Sequence, residues 1–104
     1  MIKGIVITLG DKDYVVPPLN LGTLEIMQER LEQFRGGADK ESIATVLDAS
    51  FAALKRNYPD ITREQVAEIV GLENMIELMQ AIMDISGMRR KELETQGEPQ
   101  PGSL

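Results

Sequence analysis

From Ile2 to Val16 apolar and polar positions alternate with a period near two. Ile5, Ile7 and Leu9 fall on one face of an extended chain, with the β-branched residues Val6 and Thr8 between them. The segment "GDKD", Gly10 to Asp13, is a polar turn containing glycine, as hairpin loops require, and "YVV" resumes the strand. Pro17-Pro18 closes it, because proline cannot donate to a ladder. The pattern predicts a β-hairpin over 2–17. An isolated hairpin is marginal in water, so this one needs an apolar surface to rest on.

Beyond the prolines the period lengthens to that of a helix. Leu24, Met27, Leu31 and Phe34 share one face of a first helix over about 21–34, with Asn20 or Thr23 as its N-cap and Gly36-Gly37 after its end. Ile43, Val46, Leu47, Phe51, Leu54 and Tyr58 form the stripe of a second helix over about 40–57, stopped by Pro59. A short third helix over about 62–70 opens on Thr62 and Gln65 at capping-box spacing, with Ile61 and Val66 placed for a hydrophobic staple. Val66, Ile69 and Val70 point inward, and Gly71 ends it. A fourth helix over about 73–86 carries Met75, Ile76, Leu78, Met79, Ile82, Met83 and Ile85, opposite Glu73, Glu77, Gln80 and Asp84. After Gly87 the periodicity vanishes, and "RRKELETQGEPQPGSL" gains proline, glycine and charge. It reads as a disordered tail over 89–104. The expected fold is α+β and mostly α: an N-terminal β-hairpin followed by a bundle of about four helices, in one domain over 1–88.

Composition sharpens this. The 104 residues are 42% hydrophobic and only 4% aromatic, so the core is aliphatic and methionine-rich. The formal net charge is −6. Such a chain is repelled by nucleic acid and anionic membranes unless its bases cluster. Lys55-Arg56 and Arg89-Arg90-Lys91 are too short and too flanked by polar and acidic sequence to form such a cluster. No apolar run is long enough to span a bilayer and no signal-peptide pattern is present, so a soluble cytoplasmic protein is expected.

Chemistry is sparse. Without Cys or His there are no thiolate nucleophiles, no imidazole bases and no zinc site built from nitrogen or sulfur. No Ser-x-x-Lys spacing occurs. Glu64 with Glu68, and Glu73 with Glu77, sit on faces that the apolar pattern assigns to solvent. Asp11-Lys12-Asp13 lacks the further oxygen ligands of a calcium loop. No glycine pattern cradles a phosphate. Catalytic, metal and cofactor sites are therefore not expected, and binding to another polypeptide is.

One stretch suggests otherwise. "ITREQVAEIVGLENM", Ile61 to Met75, has the outline of a helix-turn-helix. Charge argues against DNA: Asp60, Glu64, Glu68, Glu73, Glu77 and Asp84 surround a single base, Arg63, between Asn57 and Gly87. Asn74 has an amide that could pair with adenine, but one amide cannot offset that field. The stretch reads instead as a packing corner. Met75, Met79 and Met83 recur every four residues along the last helix, and methionine suits surfaces that accept varied partners. The apolar half of this helix is wider than one neighbour needs. The face of Met75, Ile76, Met79, Ile82 and Met83 is the expected protein-binding site.

The order of elements and two local phrases also resemble a known family. "ITLGDKDYVVPPLNLGTLEIMQERLEQF" resembles the hairpin, double-proline strand end and first helix of the tail assembly chaperones of long-tailed bacteriophages. "FAALKRNYPDITREQVAEIVGLENMIELMQAIM" resembles their second helix, Tyr-Pro-Asp break and last two helices. The resemblance covers about Ile2 to Ser86. It implies a helical protein of the host cytoplasm, encoded by a phage or prophage and absent from the finished virion. It implies binding to the tape measure protein and help in assembling the tail tube. Contact with the tail tube protein would come through a frameshifted longer product, and homo-oligomers are possible. The family offers no motif of functional residues to transfer. A small anti-repressor-type regulator and a structural tail adaptor are the alternative readings.

Overall fold

The computed structural model describes residues 1–88, so the expected tail over 89–104 lies outside the described residues. Among residues 1–88 the chain forms two strands, β1 (Ile5–Leu9) and β2 (Lys12–Val16), then four helices: α1 (Leu21–Gln33), α2 (Lys40–Asn57), α3 (Arg63–Ile69) and α4 (Met75–Ile85). The α+β, mostly helical class read from the sequence is the one found.

β1 and β2 pair antiparallel, with Ile5 opposite Val16, Ile7 opposite Tyr14 and Leu9 opposite Lys12. The turn is tighter than expected. Only Gly10 and Asp11 form it, while Lys12 and Asp13 already belong to β2. Gly10 has φ +70 and among the described residues no non-glycine residue has positive φ, the pattern of a type II′ hairpin with glycine at its first central position. The Thr8 hydroxyl donates to the Asp13 carboxylate at 2.6 Å on the outer face.

The hairpin rests on its own helices. At the end of α2 the Tyr58 hydroxyl accepts from the Val15 amide at 2.8 Å, and the Asn57 amide donates to the Val15 carbonyl at 3.1 Å. The same Asn57 side chain closes a pair of bonds with Ile2, accepting from its N–H at 2.6 Å and donating to its carbonyl at 2.8 Å. Tyr14 meets Tyr58 edge to face, with centroids 5.3 Å apart. Arg56 donates to the Pro18 carbonyl at 2.6 Å, and the Leu19 amide donates to the Ser86 hydroxyl at 3.0 Å. Gly4 admits no side chain, because a Cβ there would fall on the Val16 carbonyl.

Local chemistry sets most helix ends. Asn20 accepts from the Thr23 amide at 2.8 Å and starts α1. Asp39 accepts from the Ser42 amide at 3.2 Å and starts α2. Thr62 and Gln65 form the full reciprocal capping box of α3, at 3.1 and 2.9 Å. Pro59 ends α2 after Tyr58. α4 begins two residues later than the pattern predicts. Glu73 and Asn74 belong to the connecting turn, where Asn74 accepts from the Gly71 amide at 2.9 Å and donates to the Ile69 carbonyl at 3.2 Å.

The core is aliphatic and continuous. It joins Ile7, Leu9 and Val16 of the hairpin to Met27 and Leu31 of α1, Val46 and Leu54 of α2, Val66 of α3, and Leu78, Met79 and Ile82 of α4. Fully burying an aliphatic side chain of this size contributes about 1.5–3 kcal/mol. On the surface Asp48 binds Arg30 of α1 at 3.0 Å and Arg63 of α3 at 2.9 Å.

Candidate protein-binding face

The five residues expected to form a binding face on α4 separate into two sets. Met75 is 5% exposed, Met79 1% and Ile82 0%. These three are core residues, not surface, which corrects the expectation for them. The cause is the number of neighbours. α4 packs on α2 and also under β1, so a second layer covers apolar arc that one helical neighbour would have left open. Ile76, at 41% exposure, stays on the surface, and Met83 is half-buried.

Two grooves lie near this face, and Ile76 lines the second of them. One, of about 190 Å³, runs where α2 meets the α3–α4 turn, lined by Ile43, Val46, Leu47, Val70, Leu72 and Met75. The other lies between the end of α1 and α4, with Phe34, Arg35, Gly36, Met79, Gln80 and Met83 among its walls. Gly36 leaves room for Ile76 in that wall. Its φ is +85, and a Cβ there would sit 2.8 Å from the Ile76 Cδ1.

The first groove is the apolar one. Leu72 is 67% exposed and Ile43 40%, so two large, exposed aliphatic side chains border this concavity, while Ile76 lines the other groove. Sequence reasoning passed over Leu72 and placed Ile43 on the core stripe of α2. The signal was present in Leu72: a leucine in an otherwise polar turn, off every helical stripe, has no core position to fill. Glu73 and Glu77 stand exposed beside it, so the rim is acidic.

The helix-turn-helix outline is used for packing. The Asn74 amide is 9% exposed and bridges the two ends of the turn. Arg63, the only base of the segment, is engaged by Asp48. Among the described residues no group of three or more His, Cys, Asp or Glu side chains could hold a metal ion, and no helix is long and apolar enough to cross a membrane. Comparison with known proteins gave no significant match: not to a family model, a curated protein or a solved structure.

Proposed function

We propose that this chain is a protein-binding module that takes an amphipathic helix of another polypeptide into the groove between α2 and the α3–α4 turn. Within that class, the resemblance of its hairpin and helical phrases makes it a tail assembly chaperone of a long-tailed phage or prophage. Its partner is then the tape measure protein, held in the host cytoplasm and released before the virion is complete. The observation that carries the reading is the pair Ile43 and Leu72, exposed on the wall of one apolar groove. Helix-in-groove recognition needs such a strip, read by partner side chains at i, i+3, i+4 and i+7. The net charge of −6 keeps a loaded complex soluble, and Glu73 and Glu77 favour a partner helix flanked by Lys or Arg. Contact with the tail tube protein, through a longer frameshifted product, belongs to the same reading.

Co-expression with the tape measure protein tests it. Wild type is expected to keep the partner in the soluble fraction. Leu72→Glu and Ile43→Glu, at positions already exposed, are expected to fold and to lose most of that effect. Folded variants that solubilise the tape measure protein as well as wild type would overturn the assignment of the groove. Finding the chain in purified virions would overturn the chaperone in favour of a tail adaptor.

A further inference from the structure

We propose that the groove selects its partner by charge: Glu73, folded over Gly71, reads an Arg or Lys set beside a single apolar anchor. This deepens the helix-binding reading of the groove and rests on it, but not on the partner being a tape measure protein. The cavity of about 190 Å³ is close to the size, about 150 Å³, that holds one benzene-sized group. One Leu, Met or Phe side chain of the partner therefore fills it, and Leu72 and Ile43 flank that anchor. The residues that line the cavity carry no charge, so the apolar contact fixes where a partner sits but not which partner.

The charge comes from the turn. Gly71 is part of the groove wall. Its backbone does not require glycine, because its φ is not positive. A Cβ built there would meet neither core nor backbone first, but the Glu73 carboxylate, whose atoms are the nearest to it. The missing side chain thus lets that carboxylate lie against the wall of an apolar cavity.

Glu73 is exposed and has no ion-pair partner among the described residues. Within the α3–α4 segment no base of the chain competes for it. Arg63 is the single base from Asp60 to Ser86, and it pairs with Asp48. Glu68 and Glu77, exposed on the helices either side, add to the same sign. Beside an apolar surface a carboxylate is less screened than in open water, and a guanidinium or ammonium donating to it makes a charge-assisted hydrogen bond. A Glu or Asp at that place in the partner meets like charge and is rejected.

Fluorescence anisotropy of the full chain with two labelled Ala-rich peptides of about 20 residues tests this. Each carries Leu at i, i+3, i+4 and i+7; one has Arg beside the stripe and the other Glu at the same positions. The Arg peptide should bind about tenfold tighter, and added salt should narrow the gap. Glu73→Gln should abolish the preference, and Glu73→Arg should reverse it. Gly71→Ala pushes the carboxylate off the wall without removing its charge. It should leave the circular dichroism spectrum unchanged and weaken the preference. Leu72→Ala removes apolar wall but no charge, and should weaken both peptides alike. If neither peptide binds, or Leu72→Ala leaves both affinities unchanged, the groove reading itself fails and takes this one with it. If Leu72→Ala weakens binding while Glu73→Gln leaves the preference intact, the groove stands and the role of Glu73 is overturned.

Discussion

Ser50 is 0% exposed on α2, and its hydroxyl has no hydrogen-bond partner among the described residues. A buried donor left unsatisfied costs about 1–3 kcal/mol. Ser50→Ala removes that cost and improves helix propensity, so urea denaturation should show a gain of about 1 kcal/mol. Met79→Glu should do the reverse. At 1% exposure it places a carboxylate among aliphatic side chains, and loss of the cooperative unfolding transition is expected. That substitution therefore reports on folding and not on binding, whereas Ile43→Glu and Leu72→Glu report on binding. The distinction is invisible in the sequence. Met75, Ile76 and Met79 are equally apolar and lie on the same half of α4, and only the position of β1 and α2 decides which are covered. Asn74 shows the converse: an amide that in sequence could face a base edge is committed to the backbone on both sides.

At the level of elements, legibility followed the chemistry of the ends. α2 was readable from Lys40 to Asn57 because Asp39 caps one end and Pro59 breaks the other. α3 was readable from its capping box. The start of α4 was not, since no side chain caps it and the turn before it is held by Asn74 acting on α3. The Asp39 cap gives a pH prediction. The Ser42 hydroxyl, then the Ser42 amide, hold the Asp39 carboxyl below its ordinary value of 3.8. A carboxyl whose pKa is depressed by folding contributes stability that is fully present above its unfolded pKa and is lost as pH falls through the folded one. Asp39→Asn keeps a capping side chain but has nothing to protonate. Its stability should match wild type more closely below pH 3.8 than at neutrality, as acid titrations of the two proteins would show. In α3, Thr62→Ala should cost about 1 kcal/mol in thermal unfolding. Arg63→Ala should cost less, because the bridge to Asp48 is 36–47% exposed and such pairs contribute about 0.2–1 kcal/mol.

The whole molecule is a helical body with a hairpin clamped to the C-terminal end of α2. That placement follows from Asn57 and Tyr58, whose side chains bind Ile2 and Val15. The sequence called for an apolar support under the hairpin without saying which surface supplied it, because contacts more than forty residues apart leave no periodic trace. With Met75, Met79 and Ile82 of α4 buried, the apolar surface left for a partner moves to the corner where α2 and the α3–α4 turn meet. An acidic exterior and an aliphatic corner suit the reversible holding of helices. The direct measurement is a ¹⁵N-resolved NMR titration of the chain with overlapping peptides from the proposed partner, a phage tape measure protein. Shifts confined to Ile43, Leu47, Val70, Leu72 and Met75, and absent from the Leu72→Glu variant, are expected. Shifts at a different surface, or none with any peptide, would contradict the account.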